Sequence, residues 1–260
     1  MSLLRFIAVC LVATLPAAAQ LAGPNRQGVA LGHIHLNSAD PDAAIAFWTN
    51  IIGASPYSHE SIKGVSMLGA IILFSKKAPT GPSAGCVIDR VGVKVPDLQP
   101  FVDKLAKTGY KSFKPPIGTD QLMVDGPDGV RIELSEDNSM YATLEFHNVA
   151  FNTKQPKEME AWYTKNFGAR PGTDEGTVSN DISGVTLTYT RADSPAPSAG
   201  RAIDHIGFEV KGLEAFCKKL SDSGIKLDSP YRSVPDIKLS IAFLTDPWGT
   251  RIELTEGLAH

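Results

Sequence analysis

The chain has 260 residues, 43% of them hydrophobic and 20% charged, with a formal net charge of -3. That length allows one large domain or two of ordinary size, and the composition is that of a globular protein. Near-balanced charge without a long run of one sign excludes the basic footprint of a nucleic-acid binder or of a protein drawn to anionic membranes.

The first element is a leader. Arg5 precedes an apolar run over 6–15, followed by Pro16-Ala17-Ala18-Ala19-Gln20. A basic start, a short hydrophobic stretch and an Ala-x-Ala site describe a secretory signal peptide over 1–19, cleaved after Ala19. The run is shorter than the ~20 residues that span a bilayer. The expectation is a periplasmic or secreted protein with no membrane span after signal removal. Cys10 lies inside the apolar run rather than behind it, which argues against a lipoprotein. Of the other cysteines, Cys86 precedes a strand and Cys217 falls in a helix, so no disulfide between them is predicted.

Four quarters follow, each with a short strand leading into an amphipathic helix. The helices are predicted over 43–52, 98–108, 157–167 and 213–223, each stopped by a glycine (Gly53, Gly109, Gly168, Gly224). Leu98, Phe101, Val102 and Leu105 recur at helical spacing, as do Leu213, Phe216 and Leu220. Alternating runs such as 184–190 read as half-buried strands. Pro/Gly/Ser-rich stretches at 79–85 and 194–200 join quarters, and 136–142 joins the halves.

The quarters repeat. Gly-His-Ile-His-Leu (32–36) resembles His-Asn-Val-Ala-Phe (147–151), and Asp-Arg-Val-Gly-Val-Lys-Val (89–95) resembles Asp-His-Ile-Gly-Phe-Glu-Val (204–210). His33 to Asn148, Arg90 to His205, Gly53 to Gly168 and Gly109 to Gly224 are each 115 residues apart. Within each half, His33 to Arg90 and Asn148 to His205 are both 57 residues apart. Only the last strand slips, with Glu133 and Glu253 120 apart. The pattern gives two related domains, 28–137 and 143–258, each of two βαβββ modules.

Strand alternation assigns faces. Ile206, Phe208 and Val210 form an apolar side that packs on helix, and His205, Gly207 and Glu209 oppose it. The same parity puts His33 and His35, Arg90 and Lys94, Asn148 and Asn152, Arg131 and Glu133, and Arg251 and Glu253 on the other side. A sheet that curls on this side encloses a polar-lined cup.

The strand openers and the closing runs Pro-Asp-Gly-Val-Arg-Ile-Glu-Leu (127–134) and Asp-Pro-Trp-Gly-Thr-Arg-Ile-Glu-Leu (246–254) resemble the vicinal oxygen chelate superfamily. That group includes glyoxalase I, bleomycin-resistance proteins and extradiol dioxygenases. The resemblance spans about 29–258. It implies an α+β fold of four βαβββ modules paired into two domains with cupped mixed sheets. It also implies one divalent metal per working cup, held by strand openers and the closing glutamate. Carried over half by half, the first cup would hold His33, Arg90 and Glu133, and the second Asn148, His205 and Glu253.

Neither set contains the two histidines and one carboxylate that suit non-haem iron and related ions. Arginine is no metal ligand, so in the first cup Arg90 and Glu133 are expected to form an ion pair in the metal's place; His33, His35 and Glu133 are a weaker metal set. The second cup, with His205, Glu253 and Asn148, is preferred for Fe, Mn, Zn or Ni, which sequence does not distinguish. His147 faces away unless a bulge intervenes. The resemblance further implies a fourth carboxylate in glyoxalase I itself, at positions held here by Ile71 and Thr186, which disfavours that activity. No catalytic residue is assigned. Trp48, Trp162 and Tyr163 are read as packing residues and Trp248 as a turn anchor.

Three functions fit: a divalent-metal-dependent, glyoxalase- or dioxygenase-like enzyme acting on a small oxygenated molecule, a metal-free binder of the bleomycin-resistance type, or a structural or partner-binding role with no small ligand. The partner expected is a small-molecule ligand or substrate, without nucleic acid. Pairing of modules within one chain or across a homodimer is left open.

Overall fold

The computed structural model describes residues 21–115 and 120–258; the signal-peptide expectation over 1–19 lies outside the described residues. Four modules follow in order. The first is β1 (Val29–Ser38), α1 (Pro41–Phe47), β2 (Ser55–His59), β3 (Ile62–Met67) and β4 (Ala70–Lys76). The second is β5 (Ile88–Val95), α2 (Gln99–Leu105), β6 (Lys111–Phe113), β7 (Gln121–Asp125) and β8 (Arg131–Glu136). The third is β9 (Glu145–Thr153), α3 (Pro156–Phe167), β10 (Arg170–Asp174), β11 (Thr177–Ile182) and β12 (Val185–Arg191). The fourth is β13 (Ile203–Val210), α4 (Leu213–Asp222), β14 (Leu227–Val234), β15 (Leu239–Thr245) and β16 (Arg251–Glu256).

Local chemistry sets the helix ends. Asp40 accepts from the backbone N–H of Ala43 and Pro41 opens α1, a start that needs no N–H of its own. Trp48–Ile52 continues α1 as a π-helical turn, and Gly53 stops it at φ 91°. Gly168 closes α3 at φ 68°, a left-handed position that suits glycine.

The strands form two eight-stranded sheets, but these do not follow the sequence halves. One sheet runs β14-β15-β16-β13-β1-β4-β3-β2 and the other β10-β11-β12-β9-β5-β8-β7-β6. The first module therefore pairs with the fourth and the second with the third, correcting the grouping of modules as 28–137 and 143–258. The joints are antiparallel: β1 lies on β13 and β5 on β9. The connection between Glu136 and Glu145 stays within one sheet, whereas the stretches at 79–85 and 194–200 each carry the chain from one sheet to the other. Those two stretches bind each other as they cross, through Thr80 N–H to the Gly200 carbonyl and Ala202 N–H to the Gly81 carbonyl.

The helix-facing sides of both sheets merge into one core. Trp48, Tyr163, Tyr189, Phe146, Phe151, Phe167 and Phe208 are fully buried, and each contributes roughly 1.5–3 kcal/mol through burial. Phe167 of α3 lies 5.0 Å, ring to ring, from Phe208 of β13 in the other sheet, so the core ties the two sheets together. Trp162 packs against this core and Trp248 is held in its turn by a bond from its indole N–H to Gln155. Cys86 and Cys217 are buried and free. Among the described residues, no helix is long and apolar enough to cross a membrane.

Candidate metal centre

Because β1 and β13 are neighbours, His33 and His35 come onto the same concave face as His205, with β16 bringing Glu253 alongside. The opposed pairs are His33 with Gly207 and His35 with His205, while Gly207 pairs in turn with Glu253. Gly32 is the extra residue at a register shift in β1. Side-chain ligand atoms of His33, His35, His205 and Glu253 all lie within 4.8 Å of one another. His33 Nε2 is 3.0 Å, and His205 Nε2 2.9 Å, from the same Glu253 oxygen, Oε2.

Gly207 makes this convergence sterically possible. A Cβ there would overlap the His33 ring, reaching within 2.5 Å of Nε2 and closer still to Cε1 and Nδ1. On the other flank, His205 Nδ1 donates to Asp204 Oδ1 at 2.7 Å. Asp204 is itself fixed by Arg251 (2.7 Å), Asn37 (3.0 Å) and the Gly200 N–H (2.7 Å). A carboxylate behind an imidazole sets its tautomer and raises its basicity, so Nε2 of His205 is the nitrogen presented to the cup. His35 stacks on His205 at 4.5 Å with rings 23° apart, and its Nε2 is bound to Ser75 Oγ. Imidazole lone pairs lie in the ring plane. Two nearly parallel rings cannot both aim at one ion, so His33, His205 and Glu253 are the three that could hold one together, with His35 beside them.

The electrostatics follow from burial and pairing. Burial works to raise Glu253, but the bonds from His205 and His33 outweigh it and hold the carboxyl well below the usual carboxylate range. Asp204 behaves the same way, with burial opposed by His205 and the Gly200 N–H. Burial would lower His205, yet its two carboxylate partners raise it. His35 has no such partner; burial, reinforced by His205 and His33, pushes it well below the ordinary histidine value. Buried Nδ1 atoms of both His33 and His35 lack a hydrogen-bond partner.

The cup opens into a cavity of about 340 Å³ lined by His33, His35, Leu73, Leu239, Ile241 and Glu253, among others.

The sister cup in the other sheet is built differently. Arg90 donates from Nε to Glu133 Oε2 at 2.6 Å and also pairs with Asp89. Burial alone would lower the guanidinium; Glu133 and Asp89 together raise it. Asn148 is bonded to Thr188 at 3.3 Å in this sheet, and the structure does not bring it to His205 and Glu253. Glu133 is likewise in the sister sheet, away from His33 and His35. A register shift makes His147 the extra residue opposite Gly92/Val93, and its ring comes over Gly92, toward the cup side. Burial lowers His147 against the pull of Glu133.

Regrouped by sheet, the same openers and glutamates give one complete set of two histidines and a carboxylate, and one set with an arginine and an asparagine. Sequence reading had the residues but missed their grouping. It places Gly207 on the cup side but gives neither Gly207 nor Asp204 a role in the site, although the Asp-His-Ile-Gly run displays both.

Four βαβββ modules closing two cupped sheets, with candidate ligands at strand openers and a closing glutamate, have the vicinal oxygen chelate fold. Residues 145–254 match the family model described as Glyoxalase/Bleomycin resistance protein/Dioxygenase superfamily. The match covers that segment, and the same βαβββ architecture extends over the first half of the chain. Among solved structures, glyoxalase I from Zea mays is similar with a TM-score of 0.65 at 15% identity, covering 88% of this chain and 92% of that one. A point variant of the same enzyme superimposes with a TM-score of 0.67 at 15% identity, over 88% and 92% of the two chains. A candidate dioxygenase from Bacillus subtilis gives 0.66 at 14% identity, over 93% of this chain and 88% of that one. At these identities the likeness concerns the fold. No curated protein matches the chain significantly.

Proposed function

We propose that the chain is an exported, divalent-metal-dependent enzyme of the vicinal oxygen chelate type that acts on a small oxygenated molecule. Its working cup is the one shared by the first and fourth modules, and His33, His205 and Glu253 hold the ion. The observation that carries this reading is the convergence of two imidazole nitrogens on one buried carboxylate oxygen, at 3.0 and 2.9 Å, from three strands.

The donor set suits Fe, Mn, Zn or Ni alike. Such an ion, when bound, supplies Lewis-acid polarisation of a substrate oxygen or, for a redox-active metal, oxygen chemistry. The chain's own residues do the rest. Asp204 keeps His205 turned with Nε2 toward the cup, Gly207 leaves room for the His33 ring, and apolar side chains line the cavity beside them. His35 presents a neutral imidazole beside the ligand set. Ile71, directly beside His33 on β4, offers no further carboxylate, which supports an activity other than that of glyoxalase I. Export rests on the leader-like composition of 1–19, and N-terminal sequencing of the mature protein should begin at Gln20.

The test is metal-dependent stability. Stripped protein reloaded with each of the four ions should melt higher with at least one of them, since an ion that binds only the folded state stabilises it. His33→Ala should abolish that rise. A melting temperature indifferent to all four ions would contradict the proposal.

A further inference from the structure

The two cups differ in more than their ligands. Around His33, His205 and Glu253 the concave face carries a second hydrophobic cluster, separate from the main core: Ile71, Leu73, Leu239, Ile241 and Leu258, each at most 7% exposed. Ile62, Ile237 and Phe243 pack onto it. The pairing registers identify the equivalent positions in the sister sheet. Ile71 beside His33 corresponds to Thr186 beside Asn148. Leu73 corresponds to Thr188, and Ile241 and Phe243, on the strand next to Glu253, to Gln121 and Met123. The fold itself does not need apolar residues at three of these four positions, because the sister sheet does with threonine and glutamine there and keeps an apolar residue only at Met123. The apolar wall goes with the ligand set.

Charge around the cavity points the same way. Besides Glu253, the charged side chains lining it among the described residues are Asp42 and Lys63, both exposed and of opposite sign. A charge on the body of a ligand would be taken out of water against Leu73, Leu239 and Ile241 with no buried partner, which is costly. The volume sets how much of a ligand the wall surrounds. A cavity of about 150 Å³ holds benzene, so about 340 Å³ takes up one substituted ring or a short branched chain.

We infer that this cup selects a substrate whose body is uncharged and apolar, about the size of one substituted ring, and that it rejects molecules with an anionic group away from the metal-facing end. The inference rests on the proposed metal reading for the chelating end only; the preference for the body belongs to the wall.

The test uses two redox-inert probes with one chelating end, benzohydroxamate and 4-carboxybenzohydroxamate, titrated calorimetrically into zinc-loaded mature protein. The neutral body should bind about tenfold tighter or more. The double variant Ile71→Thr with Leu73→Thr, copied from the sister cup, should bring the two affinities within about threefold while zinc content is unchanged. If the variant fails to fold, Ile241→Gln serves the same purpose at one position. Should the protein retain no zinc, the metal reading fails, and the body preference is read on metal-free protein by thermal shift with toluene against 4-methylbenzoate. Equal or reversed preference for the charged body, in whichever format applies, overturns the inference.

Discussion

Gly207→Ala isolates the geometry of the centre with one methyl group. The new Cβ would occupy the space of the His33 ring, within 2.5 Å of Nε2. The backbone there is extended strand, so the ring must leave rather than the chain adjust. Overpacking of this kind costs about 1–3 kcal/mol, and losing the charge-assisted His33–Glu253 bond costs about 1.5–3 kcal/mol. A net destabilisation of about 3 kcal/mol is expected by urea unfolding of the metal-free protein. Zinc affinity should fall by about 100-fold or more, beyond the range seen when only an outer partner of a ligand is removed. The matched control is Gly92→Ala in the sister sheet. Its Cβ would come within 2.8 Å of the Asn148 Cβ and 3.0 Å of His147 Nε2, so it crowds its cup too. It should cost stability without changing zinc affinity. Calorimetric titration of both variants decides the matter: zinc binding retained within about threefold in Gly207→Ala, or lost in Gly92→Ala, would refute the reasoning.

Other perturbations test separate parts of the account. Asp204→Asn keeps an acceptor for His205 but removes the negative charge, and should weaken zinc binding by about 10–100-fold in the same titration. Arg90→His combined with Asn148→His completes a two-histidine, one-carboxylate set with Glu133, and elemental analysis should then find a second metal per chain. Asp246 tests pH linkage away from the centre. Burial raises its carboxyl to about 6, despite bonds from the Thr250 and Trp248 N–H groups and from Tyr163. The folded state therefore holds its proton where the unfolded chain has released it, and stability falls as pH rises from about 4 to 6. The loss is about 3 kcal/mol. Asp246→Asn removes that component, so urea unfolding at pH 4 and pH 7 should show the wild type losing about 3 kcal/mol more than the variant.

Much of the architecture was legible because it is written locally. Apolar spacing at Leu213, Phe216 and Leu220 fixes a helix face, Gly53 and Gly168 fix helix ends, and alternation at Ile206, Phe208 and Val210 fixes which side meets the core. Those signals act over a few residues, and the module boundaries follow from them. Which modules share a sheet is a different kind of information. The 115-residue repeat relates the first module to the third and the second to the fourth, and it is equally compatible with either way of joining a first-type module to a second-type one. The choice is made by β1 lying on β13 rather than on β5, through pairs 167 to 181 residues apart in sequence. One chemical clue was available. His33, His205 and Glu253 make a complete ligand set only when taken across the halves, and the remainder, Asn148, Arg90 and Glu133, make a consistent metal-free one. His147 was harder to place, because its turn into the sister cup comes from a bulge that alternation does not encode.

Metal content of three purified proteins tests the central claim most directly. After loading with zinc and removal of the excess, elemental analysis should find one ion per chain in the wild type, one in Asn148→Ala and none in His33→Ala. An ion retained by His33→Ala but lost from Asn148→Ala would place the centre in the sister sheet and contradict the account.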